Sequence, residues 1–180
     1  MLAATAHVLH VHHHARVEAS YEGDEGNEQR RDERVPERDL LPYAASAGRA
    51  VIAYSPLAQG LLSAKYDPDH RPSNTVRSLR PLFLPENLRR ARPLLDTLRE
   101  VADAHDATPS QVALAWTIHR PTVVAIPGAS SVAQLESNVA AAEIRLSASE
   151  YAALNAASDR FRPMGAVGAL TGIARQQIGV

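Results

Sequence analysis

The stretch that decides the fold is Arg49-Ala-Val-Ile-Ala-Tyr-Ser55, a short apolar run that ends at Pro56. A second run of the same kind, Thr122-Val-Val-Ala-Ile126, ends at Pro127-Gly128. Short continuous apolar runs with these ends predict strands that are buried on both faces, as in a parallel sheet. We therefore expect two strands that lie side by side and end at the same edge.

Helical patterns flank and separate the two strands. Each pattern spaces apolar residues by three or four and begins at a Pro or at a Ser or Thr that can cap a helix. The predicted helices are Pro36–Gly48, Asn87–His105, one capped by Thr108 with Trp116 in the core, one from Ser130 or Ser131 to Ala142, and one from Ser147 to about Arg160. This order predicts an α/β fold whose parallel strands are joined by right-handed crossovers.

The length of the chain limits the size of this fold. The chain has 180 residues, whereas a complete (β/α)8 barrel typically has about 250. Two strands leave apolar faces and edges uncovered, so we expect part of a larger α/β domain. The segment from Leu57 to Pro85 is long for an ordinary connection and is a candidate functional loop.

Composition narrows the class of function. The formal net charge of -1 gives no overall attraction to nucleic acid or to an anionic membrane, and no run is apolar for the length of a membrane span. The absence of Cys excludes disulfides, thiolate metal sites and cysteine nucleophiles. Because the first residues also lack the pattern of a secretory signal, we expect a cytoplasmic protein.

The two ends of the chain differ from the middle. Residues 1–35 contain a histidine cluster and a long charged run with almost no apolar residue, so we expect this segment to be irregular or disordered. The histidines lack acidic or cysteine partners in a packed frame, and we predict no metal site there. Residues 161–180 form a glycine-containing tail for which the pattern gives no firm prediction.

The stretch Ala125-Ile-Pro-Gly-Ala-Ser-Ser131 leads from a strand into a serine-capped helix. Free amides at a helix start, together with the positive end of the helix dipole, can bind phosphate, and serine hydroxyls can add donors. An ordinary strand-to-helix turn with a serine cap explains the same pattern. Tyr54, at the end of the other strand, could present its face to a flat ring, or it could be a core tyrosine.

Three segments together resemble the C-terminal part of the aldo-keto reductase superfamily. The resemblance lies in Val51-Ile-Ala-Tyr-Ser-Pro-Leu-Ala-Gln-Gly-Leu-Leu62, in Thr108-Pro-Ser-Gln-Val-Ala-Leu-Ala-Trp116, and in Val124-Ala-Ile-Pro-Gly-Ala-Ser-Ser131 with Gln134 and Asn138. Their order and spacing extend it from about residue 36 to residue 160. It implies a partial (β/α)8 barrel that holds the C-terminal strands and helices.

The same resemblance implies a cofactor and its binding residues. Members of the superfamily use NADPH, less often NADH, to reduce aldehydes and ketones to alcohols. Tyr54 is implied to stack on the nicotinamide. The other implied contacts are Ser55, Leu57 and Gly60 at the pyrophosphate, Gly128, Ala129 and Ser130 at the adenosine 2'-phosphate, and Gln134 and Asn138 near the adenine.

Two departures from the family pattern concern the 2'-phosphate. The usual Glu-Asn pair is Ser137-Asn138 here, and Ser130 stands where an Arg or Lys is frequent. A guanidinium or ammonium group suits a 2'-phosphate best, so the pattern does not favour NADPH over NADH.

The superfamily also relies on an Asp, Tyr, Lys and His set that precedes the matching segments. The one lysine of the chain is Lys65, in the loop after Gly60, so the catalytic lysine has no counterpart. We assign no catalytic residue and expect the chain alone to be inactive. The alternatives are a noncatalytic nucleotide-binding or assembly module that completes its sheet with a partner chain, and an unstable product of a disrupted gene.

Overall fold

A computed structural model describes residues 40–73 and 75–164 of the chain. Residues 1–35, for which we predicted disorder, lie outside the described residues, and so does most of the tail at 161–180. The chain divides into two compact units. Unit 1 comprises the chain up to Gln59 together with Ala113–Arg145, and unit 2 comprises Gly60–Val112 together with the chain from Leu146.

Six α-helices and two strands make up the described regular structure. The helices are α1 (Leu41–Ser46), α2 (Thr75–Ser78), α3 (Pro85–Ala104), α4 (Pro109–Thr117), α5 (Val132–Ala140) and α6 (Ala148–Arg160). The strands are β1 (Val51–Tyr54) and β2 (Val123–Ile126), and short 3₁₀ helices cover Ala58–Ser63, Pro81–Phe83 and Ala141–Glu143. The predicted order of helices and strands is confirmed, except that the four-residue α2 lies in the segment predicted to be a loop.

The two strands of unit 1 pair in parallel, as predicted. Val51 is the register partner of Val123, and the Val51 amide donates to the Thr122 carbonyl at 2.7 Å. Val51, Ala53 and Val123 are buried together with Leu41 and Ala44 of α1. One buried cluster of unit 1 therefore lies between one face of the sheet and the first helix.

The prediction that both strands are buried on both faces is wrong. Val124 is 50% exposed, Ile126 47% and Tyr54 44%. Successive side chains of a strand point to opposite faces, so these three lie on the face opposite the core. The reason is that the sheet has two strands in the described part of the chain, and its residues bury one face only.

Helix α5 also lacks a covered face. None of its side chains is buried, and its apolar residues Val132, Leu135 and Val139 are 71%, 55% and 65% exposed. Residues separated by three or four positions share one side of a helix, so these three form a continuous apolar stripe. We call Val132, Leu135 and Val139 the α5 stripe.

Helix starts follow the capping patterns of the sequence. The Gln111 amide donates to Oγ1 of Thr108 at 3.3 Å, and Oε1 of Gln111 accepts from the Thr108 amide at 2.9 Å. Ser131, not Ser130, caps α5, and Ser147 forms a capping box with Glu150 at the start of α6. The predicted caps at Thr108 and Ser147 are confirmed, and the choice between the two serines is settled.

Helix α3 supplies more buried side chains than any other described element of unit 2. It begins at Pro85 rather than at Asn87 and ends at Ala104. Its buried side chains recur by three or four positions, as an amphipathic helix requires, and α3 packs against α6, which buries Leu154 and Ala157. The buried residues of α3 are Asn87, Leu88, Ala91, Leu94, Leu95, Leu98, Val101 and Ala102. Trp116 of α4 belongs to unit 1 and is 4% exposed, so its predicted burial is confirmed.

The segment between β1 and α3 is more ordered than its sequence suggests. It contains two 3₁₀ helices and α2, and Arg71 holds its second half together. The guanidinium of Arg71 donates from Nε to the Phe83 carbonyl at 2.9 Å and from Nη2 to the Ser78 carbonyl. The Tyr66 ring meets the Phe83 ring edge-on, with centroids 5.4 Å apart.

Candidate functional site

The ends of the two parallel strands bring two candidate segments to one edge of unit 1. Tyr54, the last residue of β1, is the register partner of Ile126, the last residue of β2. Ser55 and Pro127 therefore leave the sheet side by side. In parallel α/β folds, ligands bind at this carboxyl edge of the sheet.

Tyr54 projects from the uncovered face of the sheet. Its side chain is 44% exposed, so the alternative of a core tyrosine is wrong. Ile126, directly opposite in the neighbouring strand, is exposed to a similar extent. The two side chains form an accessible apolar surface at the carboxyl edge, which suits a flat ring.

The backbone after Tyr54 adopts left-handed conformations at residues that rarely do so. The φ angles of Ser55, Ala58 and Gln59 are 52°, 47° and 60°. Each such residue costs about 1–2 kcal/mol relative to the right-handed region, and strained backbone of this kind is frequent at ligand sites. Sequence reasoning missed this feature, since Ala and Gln give no sign of a left-handed backbone. Leu57, between them, is half-buried.

Gly60 follows in unit 2 and has a φ of 99°, which strongly favours glycine. A Cβ placed on Gly60 would lie 3.7 Å from Cε2 of Tyr66, an ordinary contact. The glycine is therefore required by the backbone conformation rather than by lack of space. Its carbonyl accepts from the Ser63 hydroxyl at 2.7 Å, which fixes the following turn.

The start of α5 differs in one respect from the expected row of free amides. Oε1 of Gln134 accepts from the amide of Ser130 at 2.7 Å and from its hydroxyl at 2.9 Å. The Gln134 amide in turn donates to Oγ of the cap residue Ser131 at 3.2 Å. Expecting a free amide at Ser130 was wrong because the Gln134 side chain reaches back to it.

Two other donors remain at this helix end. Within the described residues, the amides of Val132 and Ala133 donate to no acceptor. Both belong to the first turn of α5, where the helix dipole is positive. The start of α5 can therefore hold an anionic group without a charged side chain.

Gly128 and Asn138 connect the loop to the body of α5. Nδ2 of Asn138 lies 3.4 Å from the Gly128 carbonyl, at the long end of hydrogen-bond distance. A Cβ placed on Gly128 would meet no atom within 4 Å, so a ligand can approach its backbone closely. Ala129 and Ser130 are also exposed.

The predicted site residues are thus partly grouped. Tyr54, Ser55 and Leu57 follow or end β1, and Gly128, Ala129, Ser130, Gln134 and Asn138 follow β2, all in unit 1. Gly60 belongs to unit 2. From Ala125 to Ile144 the chain contains no Lys or Arg, so this part of the site offers dipoles and hydroxyls rather than positive side chains.

The described residues give no indication of a metal centre or a membrane span. Residues 40–73 and 75–164 contain no group of three or more His, Asp or Glu side chains that could hold a metal ion. The amino-terminal histidines lie outside this range. None of the helices in the described part of the chain combines the length and apolar character that a bilayer span requires.

Comparison with known proteins identifies the family. The model of the aldo/keto reductase family matches residues 19–159, which begins upstream of the start near residue 36 expected from the motifs. Uncharacterized oxidoreductases of Mycobacterium tuberculosis and Mycobacterium bovis are 58% identical over 140 residues, or 78% of this chain and 43% of theirs. An aldo-keto reductase of Strobilurus tenacellus is 38% identical over 121 residues, or 66% of this chain and 36% of that protein.

A solved structure shows the same fold. The glycerol dehydrogenase of Gluconobacter oxydans superposes with a TM-score of 0.62 at 26% sequence identity, over 73% of this chain and 41% of that one. The chain thus spans less than half the length of the mycobacterial oxidoreductases it matches. The family match and this superposition confirm the predicted α/β fold, in which the two parallel strands are part of a (β/α)8 barrel. The chain belongs to the aldo/keto reductase family.

Proposed function

We propose that this chain binds the NAD(P)H of an aldo/keto reductase, with NADPH as the expected cofactor and NADH as the alternative. The observation that carries the proposal is the register of Tyr54 with Ile126, because it brings the Ser55 loop and the start of α5 to one edge of the sheet. A dinucleotide needs both a surface for its ring and donors for its phosphates. This edge offers both.

Tyr54 would stack on the nicotinamide ring. Its exposed side chain on the uncovered sheet face supports this role, since aromatic stacking needs an accessible ring face. Ser55, Leu57 and Gly60 would border the pyrophosphate. The positive φ angles of Ser55, Ala58, Gln59 and Gly60 support that assignment, because turns of this kind can aim backbone amides at an anion.

Gly128, Ala129 and Ser130 would hold the adenosine 2'-phosphate, and Gln134 and Asn138 would lie near the adenine. The free amides of the first turn of α5 would share the phosphate charge. For Ser130 to donate to the cofactor, the Gln134 side chain has to rotate away from it, since Oε1 of Gln134 accepts both Ser130 donors. The absence of Lys and Arg from this stretch leaves NADH as a real competitor.

When bound, the reduced nicotinamide would supply the hydride that converts an aldehyde or ketone to an alcohol. The residues of this chain would orient the ring and hold the phosphates. Proton donation needs a further group. The single lysine, Lys65, lies with its Nζ 5.0 Å from the centroid of the Tyr66 ring, on the exposed surface of unit 2. We therefore propose that the chain alone binds cofactor but does not turn over carbonyl substrates.

Isothermal titration of the purified chain with NADPH and NADH tests cofactor binding. We expect saturable binding that Tyr54→Ala weakens, with Tyr43→Ala, another exposed tyrosine, as the matched control. If the chain binds neither NADPH nor NADH, the proposal is wrong. Reduction of 4-nitrobenzaldehyde above background, lost in Tyr54→Ala, would contradict the claim that the chain alone is inactive.

A second candidate function is a noncatalytic assembly module that completes its sheet with a partner chain or a second copy. Two exposed apolar features of unit 1 favour it, the α5 stripe and the pair Val124 and Ile126, because an exposed apolar patch commonly marks an interface. Size-exclusion chromatography with light scattering tests it. A well-folded monomer without cofactor would contradict it, and cofactor-dependent ordering would support residual binding instead.

The cellular location also belongs to the proposal. We propose that the protein is cytoplasmic, which the absence of cysteine supports, because exported proteins of this size often carry disulfides. Fractionation of cells that express the natural chain tests the location.

Resistance of the purified chain to protease would separate a folded module from an unstable product of a disrupted gene.

A further inference from the structure

Among the described residues of unit 2, Asn87 is the most completely buried polar side chain. It lies in the first turn of α3 and is 0% exposed. A buried side-chain amide costs free energy unless its donors and acceptor are paired. Its partners therefore show what the residue holds.

The side chain of Asn87 makes three hydrogen bonds, all to backbone groups outside α3. Nδ2 donates to the Pro81 carbonyl at 2.7 Å and to the Met164 carbonyl at 3.0 Å. Oδ1 accepts from the Met164 amide at 2.7 Å. The side chain thus joins the 3₁₀ helix at Pro81–Phe83 to Met164, which lies 77 positions after Asn87.

Neighbouring contacts hold the same two segments. Phe161, at the end of α6, is 1% exposed, and Nη1 of Arg90 reaches the Arg162 carbonyl at 3.4 Å. On the other side, Arg71 ties Ser78 to Phe83 through their carbonyls. Asn87 is the link between these two groups of contacts.

We infer that Asn87 is a positioning residue, a latch that orders the end of the long segment after β1 and the chain at Met164 as one structure. Both segments meet the same amide, so neither keeps its partner when that amide is lost. Loss of the latch releases residues 78–83 and residues 161–164 together. The backbone at Met164 is thereby tied to the start of α3 through the side chain of Asn87.

Asn87→Asp is the sharpest variant, because it keeps the shape and the acceptor of the Met164 amide but removes both donors and brings a carboxylate against two carbonyls. Trypsin reports the result at two peptide bonds, Arg77–Ser78 in the first segment and Arg160–Phe161 in the second. Arg99–Glu100, in the middle of α3, is the internal reference. The quantity measured is the rate of cleavage at the two sites relative to the reference, in the full chain under native conditions.

We expect Asn87→Asp to raise both relative rates by about fivefold or more, because local opening exposes only these segments. Leu98→Ala is the control for general destabilisation. Leu98 is a fully buried residue of α3, and it makes no hydrogen bond to residues 78–83 or 161–164. It should raise all cleavage rates together and leave the ratios unchanged. Unchanged ratios in Asn87→Asp, a rise at one site only, or an equal rise in Leu98→Ala would overturn the inference.

A measurement on the unaltered chain decides the matter if Asn87→Asp does not fold. The Met164 amide hydrogen donates to Oδ1 of Asn87, so it should exchange with solvent as slowly as amides in the middle of α3. If the Met164 amide hydrogen exchanges at the rate of an unstructured amide, the inference is wrong.

Discussion

Tyr54 and Ile126 are register partners at the last position of the two parallel strands. Both side chains lie on the face of the sheet that unit 1 leaves uncovered. This pairing places the two segments that follow the strands at the same edge of the sheet. These segments are the left-handed turn after Tyr54 and the serine-capped helix after Ile126. The proposed cofactor site depends on that one relationship.

Two glycines of the candidate site should respond differently to alanine. Gly60→Ala should lower the free energy of unfolding by about 1–2 kcal/mol, because the φ of 99° disfavours any residue with a Cβ. Gly128→Ala should leave stability nearly unchanged, since the added Cβ meets no atom within 4 Å. Urea unfolding followed by circular dichroism measures both. Equal losses in the two variants would show that the backbone argument is wrong.

The capping box of α6 makes a separate contribution to stability. Ser147→Ala removes the acceptor for the Glu150 amide and should cost about 1 kcal/mol. Ser158→Ala, at the other end of α6, leaves the capping box untouched and is the matched control. Thermal unfolding of the two variants measures the difference. Identical midpoints would mean that the cap does not stabilise the folded chain.

Stability should fall in acid, and Glu150 should account for part of the fall. Hydrogen bonds from the Ser147 amide and hydroxyl, and then from His105, whose Nε2 lies 3.0 Å away, hold the pKa of Glu150 below its ordinary value of 4.5. A carboxyl whose pKa is lowered on folding stabilises the folded state above its unfolded pKa, and this stabilisation is lost as the pH falls through the folded pKa.

Glu150→Gln should therefore reduce the slope of stability against pH below about 4.5. Part of the slope should persist, because Arg90 and Arg89 lower the pKa of Glu86 in the same direction. Urea titrations from pH 3 to pH 7 measure the slope. A Glu150→Gln chain with the same acid profile as the unaltered chain would contradict the assignment.

The α5 stripe should matter for association rather than for folding. Leu135→Asp, at a side chain that is 55% exposed, should change the free energy of unfolding by no more than about 0.5 kcal/mol. It should weaken any self-association that light scattering detects. Leu94→Ala, at a buried position of α3, should instead cost about 2–5 kcal/mol. A large stability loss in Leu135→Asp would mean that the stripe is covered within the chain.

The sequence predicted the order of the elements because each is marked locally. Apolar runs mark β1 and β2, and the Thr108 and Ser147 caps lie where side-chain oxygens can meet free amides. Burial was harder to predict. Val124 and Ile126 are apolar, and only the number of strands beside them decides whether they are covered.

The arrangement of the candidate site was predictable only in part. The two strand ends indicated that the segments after Tyr54 and Ile126 leave the sheet at one edge, as their register shows, whereas the left-handed backbone at Ala58 and Gln59 has no sign in the residue types. The contact between Gln134 and Ser130 depends on a side-chain rotamer, which no spacing rule specifies. Asn87 was missed because its partner at Met164 is distant along the chain.

The most direct test of the proposed cofactor site is a titration of the ¹⁵N-labelled chain with NADPH, followed by amide resonances. Binding at the carboxyl edge predicts saturable shifts in Ser55, Gly128, Ser130, Val132 and Ala133, with the middle of α3 unaffected. Tyr54→Ala should weaken the binding and leave the location of the shifts unchanged. Shifts confined to other parts of the chain, or no shift at millimolar NADPH, would contradict the assignment of the cofactor site to this edge.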